Sequence, residues 1–99
     1  PLPAGTSGKT LISLYDKELP QLIKNFKPEL ILVSAGYDIH HLDPLGGFNI
    51  TTNEIKTLVS VIIKHTLNIP IHFSLEGGYH LNALSESVIK TLEVLIEKN

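Results

Sequence analysis

"ELILVSAGYDIHHLDP", residues 29 to 44, carries both the fold and the chemistry of this chain. Its first six residues, "ELILVS", are a short and almost unbroken apolar run. A strand buried on both faces, as in a parallel sheet, reads this way. The residues that follow, 35 to 50, contain three glycines and a proline and are expected to form a loop. Four polar side chains crowd into that loop: Asp38, His40, His41 and Asp43.

Helical patterns flank this strand. Upstream, apolar residues fall at 11, 14, 15, 19, 22, 23 and 26, the i, i+3, i+4 stripe of an amphipathic helix. Pro20 lies off the stripe and is expected to kink or split that helix. Lys27-Pro28 stops it, because a residue before proline avoids helical backbone. Downstream, "ITTNEI" (50–55) is a helix start: Thr51 and Glu54 fit a capping box, and Ile50 with Ile55 fits a hydrophobic staple. Ile55, Leu58, Val59 and Ile62 continue the stripe until Asn68 and Pro70 end it. "IHFSL" (71–75) is a second short strand and "EGGYH" a turn. Leu81, Leu84, Val88, Leu92 and Leu95 form a last helical stripe.

The order helix, strand, helix, strand, helix predicts an α/β fold with a parallel sheet. Both "GYDIHH" and "EGGY" then lie at the carboxyl edge of that sheet, where open α/β sheets bind their ligands. Asp38 and Tyr79 can therefore meet in space, although they are far apart in sequence.

Composition excludes several classes of function. The 99 residues suit one domain or part of one, and the net charge is −2. No basic run exists, so nucleic acid is not an expected partner. No apolar stretch approaches the ~20 residues that span a bilayer, so neither is a membrane. There is no cysteine, which excludes disulfides and thiolate metal sites and fits a cytoplasmic location. No charged and apolar leader is visible. The chain has no methionine, and "PLPAG" reads like the middle of a longer sequence, so a fragment is expected.

Each polar cluster has a chemical and a bland reading. Asp38, His40, His41 and Asp43 are all zinc ligands by type, or simply a polar loop. Asp38 and His40, two apart, share a face if the segment is extended. One short loop is poorly placed to supply all three ligands of a catalytic zinc. The glycines of "EGGY" permit close backbone approach, and Tyr79 could donate a hydrogen bond to a developing oxyanion or merely pack. "AGTSGKT" (4–10) looks like a phosphate-binding loop, but Pro3 stands where that motif needs glycine, and no good strand precedes it. A loop entering a helix is the better reading. His65, late in a helix, and His72, in a strand, read as structural. Glu93 and Glu97 with Lys90 and Lys98 read as a solvated helix face.

"PLPAGT", "FKPELILVSAGYDIHHLDPLGGFNITT" and "LEGGYHLNALSESV" together resemble the carboxyl-terminal part of the histone deacetylase family. The resemblance includes the bacterial deacetylase-like and acetylpolyamine amidohydrolase branch; it runs in order and covers nearly the whole chain. It implies that residues 1–99 form the C-terminal portion of a single catalytic domain with a parallel-sheet, three-layer (arginase-like) α/β fold. It implies zinc-dependent hydrolysis of acyl amides such as acetyl-lysine or acetylpolyamine. By this resemblance Asp38 is a ligand of the catalytic Zn2+, and His40 and His41 are not. Tyr79 matches the tyrosine that hydrogen-bonds the substrate carbonyl. Gly77 and Gly78 match a glycine turn beside the acyl-lysine tunnel, and Leu45 matches a tunnel-lining position. Glu76 favours the "LEGGY" branch of the family.

The implied mechanism has zinc polarising the amide carbonyl and a water, a histidine as general base, and Tyr79 with zinc holding the oxyanion. Two departures bear on it. His80 stands where the family usually has asparagine, so a weaker cap on the last helix is expected. The Asp-x-His ligands and tandem catalytic histidines of the family are absent from these 99 residues. The isolated chain is therefore expected to bind zinc poorly, to be inactive, and to self-associate through its truncated sheet. A non-catalytic binding module on the same fold is the competing reading; a nucleotide-binding protein built on "GTSGKT" is a weaker third.

Overall fold

The computed structural model describes residues 2–98, and of Lys98 only the backbone. Pro1 of the "PLPAGT" stretch and the side chain of Lys98 thus lie outside the described residues. The order is α1 (Gly8–Phe26), β1 (Ile31–Ala35), a short 3-10 turn (Tyr37–Ile39), α2 (Thr52–His65), β2 (Ile71–Leu75) and α3 (Leu81–Lys98). The two strands pair in parallel, with Ile31 opposite Ile71 and Ala35 opposite Leu75. The α/β alternation read from the sequence is the alternation observed.

Local signals explain where the helices begin. Ser7 caps α1 by accepting from the Thr10 amide. Thr51 caps α2 with the full capping box: its hydroxyl accepts from the Glu54 amide while the Glu54 carboxylate accepts from the Thr51 amide. The staple beneath that box, Ile50 and Ile55, is buried at 1% exposure each. Burying each such side chain contributes about 1.5–3 kcal/mol. Leu58, Val59, Ile62 and Ile63 carry the core along α2. α2 is the central helix, packed against α1 on one side and α3 on the other.

Four expectations need correction. α1 is not split at Pro20 but runs through it as one 19-residue helix. The missing N–H removes a single backbone bond, and capped ends hold the rest. At its C-terminal end Lys27 turns left-handed (φ 53°) and donates to the Ile23 carbonyl. β1 lies at 31–35, shifted one to two residues along from "ELILVS".

The sheet, thirdly, is covered on one face only. Val33, Ala35, Ile71 and Phe73 are half-buried on the helical side, while Leu32, Ser34, His72 and Ser74 on the other face are exposed. The apolar run of a doubly buried strand is present, but in these residues one covering layer is present, not two. Leu32, at 71% exposed, is the clearest sign of the open face.

The buried face of α3, finally, is not the leucine stripe. Ala83, Ser87, Thr91 and Val94 are buried, whereas Leu81 and Leu92 are exposed. Leu84, Val88 and Leu95 flank the core half-buried. Hydrophobicity misplaces this face because two of its members are polar. Thr91 is tied in by the Tyr37 hydroxyl at 2.6 Å and donates to the Ser87 carbonyl at 2.9 Å.

Replacing Thr51 with alanine removes half of the capping box. It should destabilise the fold by about 0.5–2 kcal/mol. Urea denaturation reads this directly, and a variant as stable as the parent would show that the box is ornamental.

Candidate active site

Two segments leave the sheet side by side, and their backbones stay paired after the strands end. The Glu76 amide donates to the Ala35 carbonyl at 3.0 Å, and the Tyr37 amide donates to the Gly77 carbonyl at 2.9 Å. The parallel ladder therefore carries the "GYD" turn and the "EGG" turn to the same place.

Asp38 sits in the 3-10 turn, half-buried. Glycines make room for its carboxylate. A Cβ at Gly36 would lie 2.9 Å from Asp38 Oδ1, and one at Gly77 would lie 2.7 Å from Oδ2. Either methyl would have to displace the carboxylate. The same Cβ on Gly77 would lie 3.4 Å from Cε2 of Tyr79, so the tyrosine ring borders the space that holds the carboxylate. Among the described residues the Asp38 carboxylate makes no hydrogen bond or ion pair. Its lone pairs are free for a ligand from outside the chain.

Gly78, at φ 144°, adopts a backbone that side chains rarely take, and Leu84 and Tyr37 crowd it. Tyr37 itself is buried, and its hydroxyl reaches Thr91 of α3. It anchors the Asp38 turn to α3 through its side chain and to the glycine turn through its amide. Sequence reasoning passed over Tyr37; its position directly before Asp38 was the available signal.

The structure puts the other three polar residues of the loop to different uses. Asp38 and His40 do not share a face, because the 3-10 turn between them replaces an extended segment. His40 is 1% exposed and both ring nitrogens are engaged. Nδ1 accepts from the Leu42 amide at 3.1 Å, so Nε2 carries the proton and donates to Thr52 Oγ1 at 2.8 Å. Thr52 in turn donates to Glu86 at 3.1 Å. Burial, with His41 beside it, holds the His40 pKa below the usual histidine value. His41 stacks on His40, with ring centroids 4.7 Å apart, and donates from Nδ1 to the Ile50 carbonyl.

Asp43 is 7% exposed, and its carboxylate is committed to backbone amides. Oδ1 accepts from Leu45 at 2.8 Å and Gly46 at 2.9 Å. Oδ2 accepts from the Tyr79 amide at 2.6 Å. Burial works against its ionisation, but the amides of Tyr79, Leu45 and Gly46 outweigh burial and hold the pKa below the ordinary carboxylate value.

Leu45 is 73% exposed at the tip of this loop, and Tyr79 is 55% exposed. No three histidine, aspartate or glutamate side chains among the described residues gather into a metal-binding group. His80 fills the cap of α3: its Nδ1 accepts from the Ala83 amide at 3.2 Å. The weaker cap expected from a missing asparagine is thus met by an imidazole nitrogen doing the same task.

The remaining candidates are structural. "GTSGKT" is fixed by the Asn49 amide donating to the Thr6 carbonyl and by a backbone bond between Gly5 and Gly47. Gly8 packs directly on the Glu54 carboxylate. A negative charge there opposes a phosphate. His65 joins Asp16 of α1 at 2.7 Å. Glu93 is not simply solvated, since Lys56 of α2 reaches it at 3.3 Å. Among the described residues no helix is long and apolar enough to cross a membrane.

The histone deacetylase domain model matches residues 1–95, and the chain belongs to that family. It is 38% identical over 99 residues to "Histone deacetylase 10, chloroplastic" of Oryza sativa subsp. japonica, covering 97% of this chain and 22% of that protein. It is 39% identical over 92 residues to the human "Polyamine deacetylase HDAC10", covering 93% of this chain and 14% of that one. The structure of an acetylpolyamine aminohydrolase from Burkholderia pseudomallei superposes with a TM-score of 0.83 at 26% identity, over 95% of this chain and 27% of the other. The chain spans between 22% and 31% of the length of the first curated relatives it matches.

The lowered pKa of Asp43 has a consequence for stability. A carboxylate whose folded pKa is depressed stabilises the fold above its unfolded pKa, near 3.8, and that stabilisation is lost as pH falls through the folded value. Asp43→Asn should therefore be less stable than the parent above pH 3.8, with the gap closing at lower pH. Urea midpoints across that range test it; a gap independent of pH would mean that the charge contributes nothing.

Proposed function

We propose that this chain is the C-terminal part of a zinc-dependent deacetylase domain that hydrolyses acyl amides of the acetyl-lysine or acetylpolyamine type. The carrying observation is the Asp38 carboxylate. It is half-buried, uncommitted to any described partner, and held in a cradle that a Cβ at Gly36 or Gly77 would fill. An accessible carboxylate with no partner of its own is open to a ligand. An anionic oxygen donor suits zinc. The partial coverage of the relatives and the open face of the sheet support a larger domain whose other residues supply the remaining ligands and the general base.

Zinc held there would act as a Lewis acid on the amide carbonyl and on a water. The chain's own residues do the rest of what is assigned to it. Asp38 supplies one ligand oxygen. The Tyr79 hydroxyl donates a hydrogen bond to the carbonyl oxygen, and that bond strengthens as the oxygen gains charge. Gly77 and Gly78 keep the wall beside the carboxylate free of side chains. Leu45, apolar and at the loop tip, lies along the acyl-bearing arm of the substrate. A cytoplasmic location remains part of the proposal and rests on the absence of cysteine.

The test uses the full-length protein. Tyr79→Phe should cut kcat for an acetyl-lysine or acetylpolyamine substrate by about 10²–10³-fold with zinc content unchanged. Asp38→Ala should lose the metal, read by elemental analysis. A Tyr79→Phe enzyme of parental rate would remove Tyr79 from the mechanism. A metal-replete Asp38→Ala enzyme would remove Asp38 from the ligand set.

For the isolated 99 residues, weak zinc binding, no hydrolysis and self-association through the exposed sheet are expected. Zinc titration and light scattering check these. Tight one-to-one zinc binding abolished by Asp38→Ala would contradict the first.

A further inference from the structure

We propose that Asp43 is a positioning residue that locks the turn bearing Tyr79 to the loop bearing Asp38, an inference that rests on the reading of Tyr79 as the carbonyl-binding group. Its two oxygens face two different segments. Oδ1 closes its own loop by accepting from Leu45 and Gly46. Oδ2 crosses 36 positions of chain to accept from the Tyr79 amide at 2.6 Å. A hydrogen bond from an amide to an ionised carboxylate is stronger than one between neutral groups.

The turn needs such a tie. The parallel ladder reaches the Gly77 carbonyl. The cap of α3 begins at His80. Between them stand Gly78, whose positive φ is one that side-chain-bearing residues rarely adopt, and Tyr79, whose side chain is more than half exposed. With its side chain more than half exposed, Tyr79 has little packing to orient it, and the Asp43 bond holds the backbone from which that side chain leaves.

The other end of the tie is just as firm. Gly46, held by Oδ1, packs so closely on the Asp38 carbonyl that a Cβ there would collide with it. One carboxylate thus spaces the carbonyl-binding side chain from the ligand-bearing turn, with its own oxygens committed to backbone amides. The residue that looks by type like a second ligand serves as the strut between two others.

The experiment uses the full-length protein with Asp43→Ser and Asp43→Asn. A serine hydroxyl can still close the local turn but is too short to bridge to Tyr79. An asparagine keeps the shape and cannot accept on both sides. Two readouts are needed. Hydrogen exchange at the Tyr79 amide should quicken about ten- to a hundredfold in both variants. In kinetics, kcat should fall about ten- to a hundredfold with KM little changed, as expected for a misplaced catalytic group.

In the Tyr79→Phe background the same substitutions should cost almost nothing further, because the group they position is gone. Unchanged exchange at Tyr79 would overturn the proposal. So would an equal rate loss with and without the Tyr79 hydroxyl, which marks a general structural defect. If Tyr79→Phe alone leaves the rate untouched, the carbonyl-binding reading has failed, and the exchange data still decide whether Asp43 holds the turn.

Discussion

The parallel ladder between β1 and β2 does not stop where the strands do, and the site depends on that. With Ala35 opposite Leu75, the two chains leave the sheet at the same level. The Glu76 and Tyr37 amides then continue the pairing into the turns. Each backbone bond contributes only about 1 kcal/mol net. Their value here is geometric, because they bring Gly77 against Asp38. With the carboxylate in that space, a side chain at residue 77 would have to displace it. A glycine that looks like a flexible turn residue is thus fixed by the group beside it.

The readable parts of the fold are those written in local sequence. The capping box at Thr51 and the staple at Ile50 and Ile55 involve residues within five positions, so residue types alone announce them. The β2 span, 71–75, is bounded by Pro70 and the glycine turn and was placed to the residue. The face of α3 was not, because the buried Thr91 is partnered by the Tyr37 hydroxyl, which lies 54 positions before it. No periodicity of α3 encodes a distant phenol. The open face of the sheet was half legible: the unbroken apolar run read as burial on both faces, while the expected truncation of the sheet implied exposure. Leu32 has the apolar side chain of a core residue and yet is 71% exposed.

The site was readable to a different degree. That both loops lie at the carboxyl edge followed from the order of elements alone. Which of the four polar residues to propose as a ligand did not follow from their types; only the resemblance singled out Asp38. The role of Asp43 was hidden altogether, since its distant partner is a backbone amide. Every residue except proline offers one, so such a partner leaves no mark in the sequence.

The division of labour in that loop has a physical logic. A site that binds a cation needs an anionic oxygen with unspent lone pairs, and a polar loop offers many ways to spend them. Here each neighbour is spent. His40 bridges Leu42 and Thr52, His41 bonds the Ile50 carbonyl, and Asp43 takes three amides. Those bonds also fix the loop in which Asp38 lies between Gly36 and Gly77. Commitment of three side chains keeps the fourth available, and exchanging the task of any one of them for ligation would loosen the loop that presents Asp38. The arrangement explains why so many ligand-like residues can stand within eleven positions while one carboxylate remains free.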